Sequence, residues 1–190
     1  TDASGKSTLV DILYGLRSPS TGHVMIDGVD IRTVTLADFR RDVALVGEPE
    51  VVDGTVLENL YFGQDGGDGA RATEVLSMVA LHEDIANLPE GALTRLGHAG
   101  NLLTPSQAAR LAIARCLVAE PRLLIIDETL DGLGTESARK VLQGIASATR
   151  KSSVIVFTSR EEIAESVGRS MRLDRGILYD RGGKTEGVAE

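Results

Sequence analysis

Residues 1–8 read Thr-Asp-Ala-Ser-Gly-Lys-Ser-Thr, and this stretch decides the fold. A Walker A phosphate-binding loop has a glycine, four residues, and then Gly-Lys followed by Ser or Thr. Residues 1–4 supply the four, so the chain begins one residue after the first glycine of the pattern. In such a loop, backbone N–H groups at a helix start bind phosphate, the lysine faces the β- and γ-phosphates, and the serine hydroxyl binds Mg²⁺. The sequence therefore predicts a nucleotide-binding site formed by Ser4, Gly5, Lys6, Ser7 and Thr8. The alternative is that Gly-Lys-Ser occurs in a loop by chance.

The charge balance of the chain bears on its partners. Its 190 residues include 20 Lys and Arg against 28 Asp and Glu, and the acidic residues are spread along the chain. Non-specific nucleic-acid binding relies on clustered Lys and Arg, so we predict that nucleic acid is not a partner. A single cysteine, Cys116, excludes an intrachain disulfide framework. The chain length suits one domain with a sizeable core or a domain that carries a small insertion.

Apolar runs alternate with turn residues after the phosphate loop, and this pattern indicates an α/β fold. Continuous apolar runs of four or five residues are typical of buried parallel strands. The predicted helices cover residues 7–16, much of 55–88, and 105–119, and the predicted strands cover residues 23–27, 43–46, 123–126 and 154–157, with a closing pair over 171–179.

The most apolar strand run, residues 123–126, ends in Asp127 and Glu128. A strand that ends in two carboxylates next to a phosphate loop can place the first beside Mg²⁺ and let the second polarise a water that attacks the γ-phosphate. We therefore predict that Ser7 and Asp127 are the metal ligands and that Glu128 is the catalytic residue. An ordinary strand end that enters a helix cap is the alternative.

The order of these motifs resembles that of the ATP-binding cassette of an ABC transporter, particularly the exporter type in which cassette and membrane helices share one polypeptide. The resemblance covers essentially all 190 residues. The Gly-Thr-Val-x-Glu-Asn element at residues 54–59 is the specific clue for exporters. The matching stretches are GKST at residues 5–8, GHVMIDG at 22–28, GTVLENL at 54–60, LPEG at 88–91, LAIAR at 111–115 and LIIDE at 124–128.

This resemblance implies an α/β P-loop NTPase core with an inserted helical subdomain, in an N-terminally truncated cassette. We expect residues 1–55 and 107–190 to form the discontinuous core and residues 56–106 to form the helical subdomain. The loop from Gly47 to Gly54 would be the hinge, and a membrane domain would dock beside it. The family's strand before Walker A and its adenine-stacking aromatic residue would precede Thr1, so we expect weaker ATP affinity than in a cassette extended upstream.

The signature motif departs from the family pattern. The family sequence is Leu-Ser-Gly-Gly-Gln, which a partner cassette presents to the γ-phosphate, and here the aligned residues are Leu103, Thr104, Pro105, Ser106 and Gln107. Proline has no N–H group, and a side chain replaces a glycine where the anion must approach. The same residues also favour the start of a helix. Thr104 is a suitable N-cap, Gln107 completes a capping box, and Pro105 takes the first helical position. Both interpretations stay open at this point.

Three further family positions are altered. The Q-loop glutamine falls at Glu48, or at Gly47 without a one-residue deletion, and the D-loop aspartate falls at Gly134. The switch histidine is replaced by Ser159, which can hydrogen-bond but has neither the charge nor the reach of imidazole. The three histidines lack metal-ligand spacing and are expected to be solvated or packing residues. For His98 the resemblance offers, by position, contact with a membrane-domain coupling segment as the alternative.

The resemblance implies an ATP-binding, slowly hydrolysing ATPase that powers export by a membrane transporter, with ATP and Mg²⁺ as cofactors. Its partners would be a transporter membrane domain on the same full-length chain and a second cassette, as a homodimer or heterodimer, on the cytoplasmic face of the cell membrane. One alternative is a degenerate cassette that binds ATP as structural or regulatory interface glue without productive turnover. Another is a soluble cassette ATPase that acts on DNA or ribosomes, against which residues 54–60 and the absence of a basic stripe count.

Overall fold

The structure, a computed structural model, describes residues 4–64, 67–97, 102–148 and 152–180. Helices and strands alternate over much of this chain, as an α/β fold requires. The helices are α1 (Lys6–Leu13), α2 (Leu36–Asp42), α3 (Val56–Leu60), α4 (Gly69–Met78), α5 (His82–Ala86), α6 (Pro105–Val118), α7 (Thr135–Ala148) and α8 (Glu161–Ala164). The strands are β1 (Met25–Ile26), β2 (Val29–Asp30), β3 (Val43–Val46), β4 (Leu123–Asp127), β5 (Ser153–Phe157), β6 (Met171–Asp174) and β7 (Ile177–Asp180).

A parallel sheet in the order β3-β4-β5 lies at the centre of the fold. Val46 pairs with Ile126, and Asp127 pairs with Phe157, so the carboxyl ends of the three strands meet at one edge. The prediction of parallel strands is confirmed, and the strand that carries Asp127 is the central one. The predicted burial holds for β4, whereas residues 154–157 of β5 are only half-buried, because β5 lies at an edge of this three-stranded sheet.

Both faces of β4 are buried, because its side chains alternate between two apolar clusters. Leu124 and Ile126 belong to the larger cluster, which joins the sheet to α3, α4, α6 and α7. Leu123 and Ile125 belong to the smaller cluster, which joins the sheet to α1 and α2. The central strand is therefore fixed from both sides, and its carboxyl end has a defined position.

Two element boundaries differ from the sequence prediction. Helix α1 ends at Leu13 rather than at residue 16, because Gly15 takes a left-handed conformation with φ of 72°. The predicted strand over residues 23–27 shortens to β1, because Asp27 and Gly28 both have positive φ and turn the chain into β2. The closing pair around Arg175 is confirmed as the β6–β7 hairpin.

The exporter-specific element around residues 54–60 forms the start of α3. The Thr55 hydroxyl accepts a hydrogen bond from the Glu58 N–H, and the Glu58 carboxylate accepts one from the Thr55 N–H, which makes a capping box. The Asn59 side chain is fully buried, and it accepts from the Val52 N–H and donates to the Val52 and Thr55 carbonyls. This element therefore holds the end of the preceding loop onto the helices.

Arg115 of α6 joins the same contact. Its Nε donates to the Asn59 carbonyl at 2.7 Å, and its Nη2 donates to the Glu50 carbonyl at 3.0 Å. Burial lowers the pKa of the Arg115 guanidinium from its usual value. Residues 50–52 are thus bound to both α3 and α6. The hinge over Gly47 to Gly54 and the division at residues 55 and 107 stay predictions.

Replacing Asn59 with alanine is expected to lower the free energy of unfolding by about 2 kcal/mol, because the Val52 N–H would lose its partner. Urea denaturation followed by circular dichroism measures this loss. Asn87, which is exposed at the end of α5, is the control, and its alanine variant should match wild type. Equal stability of the two variants would contradict this account of Asn59.

Candidate functional site

The phosphate loop leads directly into α1. Gly5 has a φ of 95°, a left-handed conformation that glycine adopts without steric cost, and α1 begins at Lys6. The Ser4 hydroxyl accepts a hydrogen bond from the Lys6 N–H at 3.4 Å, and the Ser4 carbonyl accepts one from the Gly176 N–H at 3.0 Å. The turn of the β6–β7 hairpin therefore packs against the loop and supports it; residues 1–3 lie outside the described ranges.

The two predicted carboxylates lie at the end of β4, opposite this loop. Glu128 is a non-glycine residue with a φ of 56°, and its N–H donates to the Phe157 carbonyl at 2.9 Å. This bend brings the Glu128 Oε1 to 3.1 Å from the Lys6 Nζ. Lys6 is 15% exposed and Glu128 is 52% exposed. The structure therefore brings together the lysine of the loop and the predicted catalytic carboxylate, which are far apart in sequence.

Negative charge is concentrated around Asp127. Burial, and then the nearby Glu128 carboxylate, raise the pKa of Asp127 above its ordinary value, and Lys6 acts in the opposite direction. Asp11 and Asp131 add to the rise. A cation beside Asp127 would offset this crowding, so the residues present fit a Mg²⁺ ion.

Two protein side chains are available to a Mg²⁺ ion at this site. Within the described ranges, no group of three or more His, Cys, Asp or Glu residues is arranged to hold a metal. Mg²⁺ in nucleotide sites is typically held by one or two protein ligands together with phosphate oxygens and waters. The exposed Ser7 hydroxyl and the half-buried Asp127 carboxylate suit that small donor set.

The altered signature motif forms the start of α6. The Thr104 hydroxyl accepts from the Gln107 N–H at 3.3 Å, and the Gln107 side chain accepts from the Thr104 N–H at 2.8 Å. Pro105 is the first helical residue. The predicted capping box is confirmed, and with it the chain itself uses N–H groups at this helix start.

The altered Q-loop position lies close to the end of β4, where Asp127 and Glu128 are. Glu48 is exposed and follows Gly47. The Thr129 hydroxyl, next to Glu128, donates to the Gly47 carbonyl at 2.7 Å and also lies 3.2 Å from the Val46 carbonyl. The start of the candidate hinge is therefore fixed to the strand end that carries the two carboxylates.

The altered D-loop and switch positions follow the carboxyl ends of the neighbouring strands β4 and β5. A Cβ at Gly134 would meet no heavy atom within 4 Å, so packing does not prevent a side chain there. Ser159 is exposed, and its hydroxyl donates to the Asp131 Oδ2 at 2.7 Å. Sequence reasoning missed Asp131, because no local pattern marks it as a partner of the segment after β5.

The family model described as "ABC transporter" matches residues 2–131. The chain belongs to the ABC transporter family. A solved structure of a bacterial Atm1-family ABC exporter with ATP bound aligns with this cassette with a TM-score of 0.85 and 28% identity, over 95% of this chain and 32% of that one. The predicted P-loop NTPase fold and the resemblance to exporter cassettes are confirmed.

Two curated relatives illustrate the range of full-length proteins that this cassette resembles. It is 35% identical over 187 residues to ABC transporter 1 of Ajellomyces capsulatus, covering 96% of the cassette and 14% of that protein. It is 33% identical to the ATP-dependent lipid A-core flippase of Cupriavidus metallidurans, covering 96% of the cassette and 32% of that protein. The cassette therefore spans less than a third of the length of these relatives.

Other predictions for the cassette are not decided by these comparisons. The roles of residues 4–8, Asp127 and Glu128 stay predictions, as do the functional consequences of the altered motifs. His98 lies outside the described residues. Among the described helices, none combines the length and apolarity needed to cross a bilayer.

Proposed function

We propose that this cassette binds MgATP, hydrolyses it slowly, and powers export by a membrane transporter. The observation that carries the proposal is the 3.1 Å contact between the Lys6 Nζ and the Glu128 Oε1 at the carboxyl end of the central strand. This contact joins the loop that would hold phosphate to the carboxylate that would accept a proton. ATP-binding cassettes of the ABC transporter family, to which the chain belongs, support the choice of ATP.

The local charges favour the magnesium complex over free ATP. Lys6 is the cation that offsets the carboxylates around Asp127, among them Glu128 and Asp131. A polyphosphate would be repelled by these carboxylates unless a metal compensated the charge. Mg²⁺ held by Ser7 and Asp127 would supply that compensation and polarise the phosphate oxygens.

The reaction assigned to the site is transfer of the γ-phosphoryl group to water. Glu128 accepts the water proton as the new P–O bond forms and the bond to the leaving ADP oxygen breaks. Lys6 stabilises the negative charge on the transferred group. Backbone N–H groups at the start of α1, after Gly5, would orient the phosphates.

The helix start at α6 supports slow turnover when two copies of this cassette pair. In the proposed dimer this segment would face the partner's γ-phosphate. Its backbone approach is obstructed by Pro105 and Ser106, and its Thr104 and Gln107 N–H groups are hydrogen-bonded within the chain. A second cassette with an intact signature would instead complete the site that contains Lys6 and Glu128.

The full-length relatives support a proposed assembly that is larger than the cassette. We propose that residues 1–55 and 107–190 act as the core and residues 56–106 as a helical subdomain. A membrane domain, on the same polypeptide, would dock beside residues 47–54, and the cassette would lie on the cytoplasmic face of the membrane.

A regulatory or structural cassette that holds ATP without productive turnover is the second candidate. The self-capped start of α6 and the Ser159 contact with Asp131 favour it, because both use groups that would otherwise be available to phosphate. The Lys6–Glu128 pair favours the catalytic function, since a site that only holds ATP does not require the carboxylate.

Replacing Lys6 with methionine tests the nucleotide site. We expect the Kd for MgATP, measured by calorimetry, to rise at least about tenfold, because the variant loses the cation that faces the phosphates while keeping the side-chain length. Lys140, exposed on α7, provides the matched control, and its methionine variant should bind as wild type does. The full-length protein is used for these measurements. If its wild type binds no MgATP, or if both variants bind equally well, the proposed site is wrong.

A further inference from the structure

The segment that follows β5 is tied to the turn that follows β4. We call residues 158–160 the switch segment and residues 131–135 the D-loop turn. The Asp131 carboxylate accepts hydrogen bonds from the Thr158 hydroxyl, from the Ser159 N–H at 2.8 Å and from the Ser159 hydroxyl at 2.7 Å. The Thr158 hydroxyl and both donors of Ser159 are thus directed at one carboxylate.

Arg160 adds a second set of contacts between the same two segments. Its Nη1 donates to the Leu133 carbonyl and, at 3.3 Å, to the Asp131 carbonyl. Its Nη2 donates to the Thr135 hydroxyl at 2.6 Å. The switch segment and the D-loop turn are therefore bound to each other within one chain.

This network lies beside the predicted catalytic carboxylate. The Asp131 N–H donates to the Glu128 carbonyl at 2.9 Å, and the Glu128 N–H donates to the carbonyl of Phe157, the residue before the switch segment. Asp131 is also one of the carboxylates whose charge acts on Asp127. The hydrogen bonds of Asp131 therefore lie near the position that a γ-phosphate bound to Lys6 would take.

The direction of these hydrogen bonds determines what Ser159 can offer. An ionised carboxylate only accepts, so the Ser159 hydroxyl must give its single proton to Asp131. The hydroxyl oxygen keeps only lone pairs, which a phosphate oxygen cannot use. Hydrogen bonds to a charged acceptor are also stronger than those between neutral groups.

We propose that Asp131 is a specificity-determining residue, because it holds the donors of Ser159 and thereby prevents the switch segment from binding the γ-phosphate. The cassette then distinguishes ATP from ADP weakly. This inference rests on the proposed function of the site. Weak recognition of the γ-phosphate would then have two causes. The switch position has a serine in place of the family's histidine, and the donors of that serine are hydrogen-bonded to Asp131.

The test is the ratio of the Kd values for MgADP and MgATP, measured by calorimetry on the full-length protein. In Asp131→Ala the Ser159 hydroxyl and N–H are released, and we expect the ratio to rise about fivefold or more in favour of ATP. Part of this gain will reflect the lost negative charge. Asp131→Ala combined with Ser159→Ala keeps the charge effect and removes the hydroxyl, so its gain should be at least about twofold smaller.

Ser159→Ala in the wild-type background is the second arm. Because Asp131 already holds the hydroxyl, this variant should leave the ratio within about twofold of wild type. This arm requires no change at Asp131, so it can overturn the inference even if Asp131→Ala fails to fold. A threefold or larger loss of ATP preference in Ser159→Ala would overturn the inference.

Two controls separate this inference from the proposed function. The Asp38 carboxylate accepts a hydrogen bond from the Thr35 hydroxyl on the exposed surface of α2. Asp38→Ala should leave the ratio of the two Kd values unchanged. Hydrogen exchange without nucleotide should be faster at the Ser159 amide in Asp131→Ala than in wild type. If wild type binds neither nucleotide, the proposed function fails and the role of Asp131 fails with it. If wild type binds both and the ratio does not respond to Asp131→Ala, only the role of Asp131 fails.

Discussion

Replacing Glu128 with glutamine is expected to lower the rate of ATP hydrolysis about 10²–10⁴-fold, the range typical for loss of a general base. The glutamine side chain has nearly the same shape but cannot accept the proton of the attacking water. It also removes the ion pair with Lys6, so the Kd for MgATP should stay equal or decrease. Phosphate release at saturating MgATP gives the rate, and calorimetry gives the Kd.

The control for this substitution is Glu136, an exposed glutamate in the first turn of α7. Its glutamine variant should hydrolyse ATP at the wild-type rate. A wild type no faster than Glu128→Gln would reject the catalytic role and favour the regulatory cassette. A wild type that is slow but clearly faster than the variant would support the slow ATPase.

Local sequence patterns correctly predicted the helices and strands that are specified by residues close to one another in the sequence. The cap of Thr104 and Gln107 is complete within a few residues, so its residue types specify the start of α6. The five-residue strand β4 is apolar on both faces, which predicts a central parallel strand without knowledge of its partners. These elements were confirmed with boundaries within one or two residues.

Contacts between distant segments could not be predicted from the same patterns. The residue types of Lys6 and Glu128 suggested their roles, but their ion pair depends on the fold that brings the two segments together. Asp131 carried no signal, because an aspartate in a turn between a strand and a helix has an ordinary structural explanation. Its importance becomes visible only when the end of β5 is placed beside it.

The close approach of α7 to the end of α4 is another feature that the sequence did not reveal. A Cβ at Gly144 of α7 would lie 1.9 Å from the backbone oxygen of Met78 and 2.8 Å from its carbonyl carbon. Real Cβ atoms do not approach backbone atoms this closely, so the helices would have to separate. Val141 and Ile145, on the buried side of α7, belong to the large apolar cluster and would lose packing.

Gly144→Ala is therefore expected to reduce the free energy of unfolding by about 3–4 kcal/mol, at the upper end of the effect of overpacking. Urea denaturation followed by circular dichroism measures the loss. In an exposed helix the same substitution stabilises by up to about 1 kcal/mol, because alanine has the higher helix propensity.

Gly69, the first residue of α4, is the matched control, because an added Cβ there meets no heavy atom within 4 Å. Gly69→Ala should be neutral or slightly stabilising, so the two variants should change stability in opposite directions or by very different amounts. If Gly144→Ala were as stable as wild type, α7 could move away from Met78 at little cost. The large cluster would then be a less rigid support for the strand that carries Asp127 and Glu128 than its burial implies.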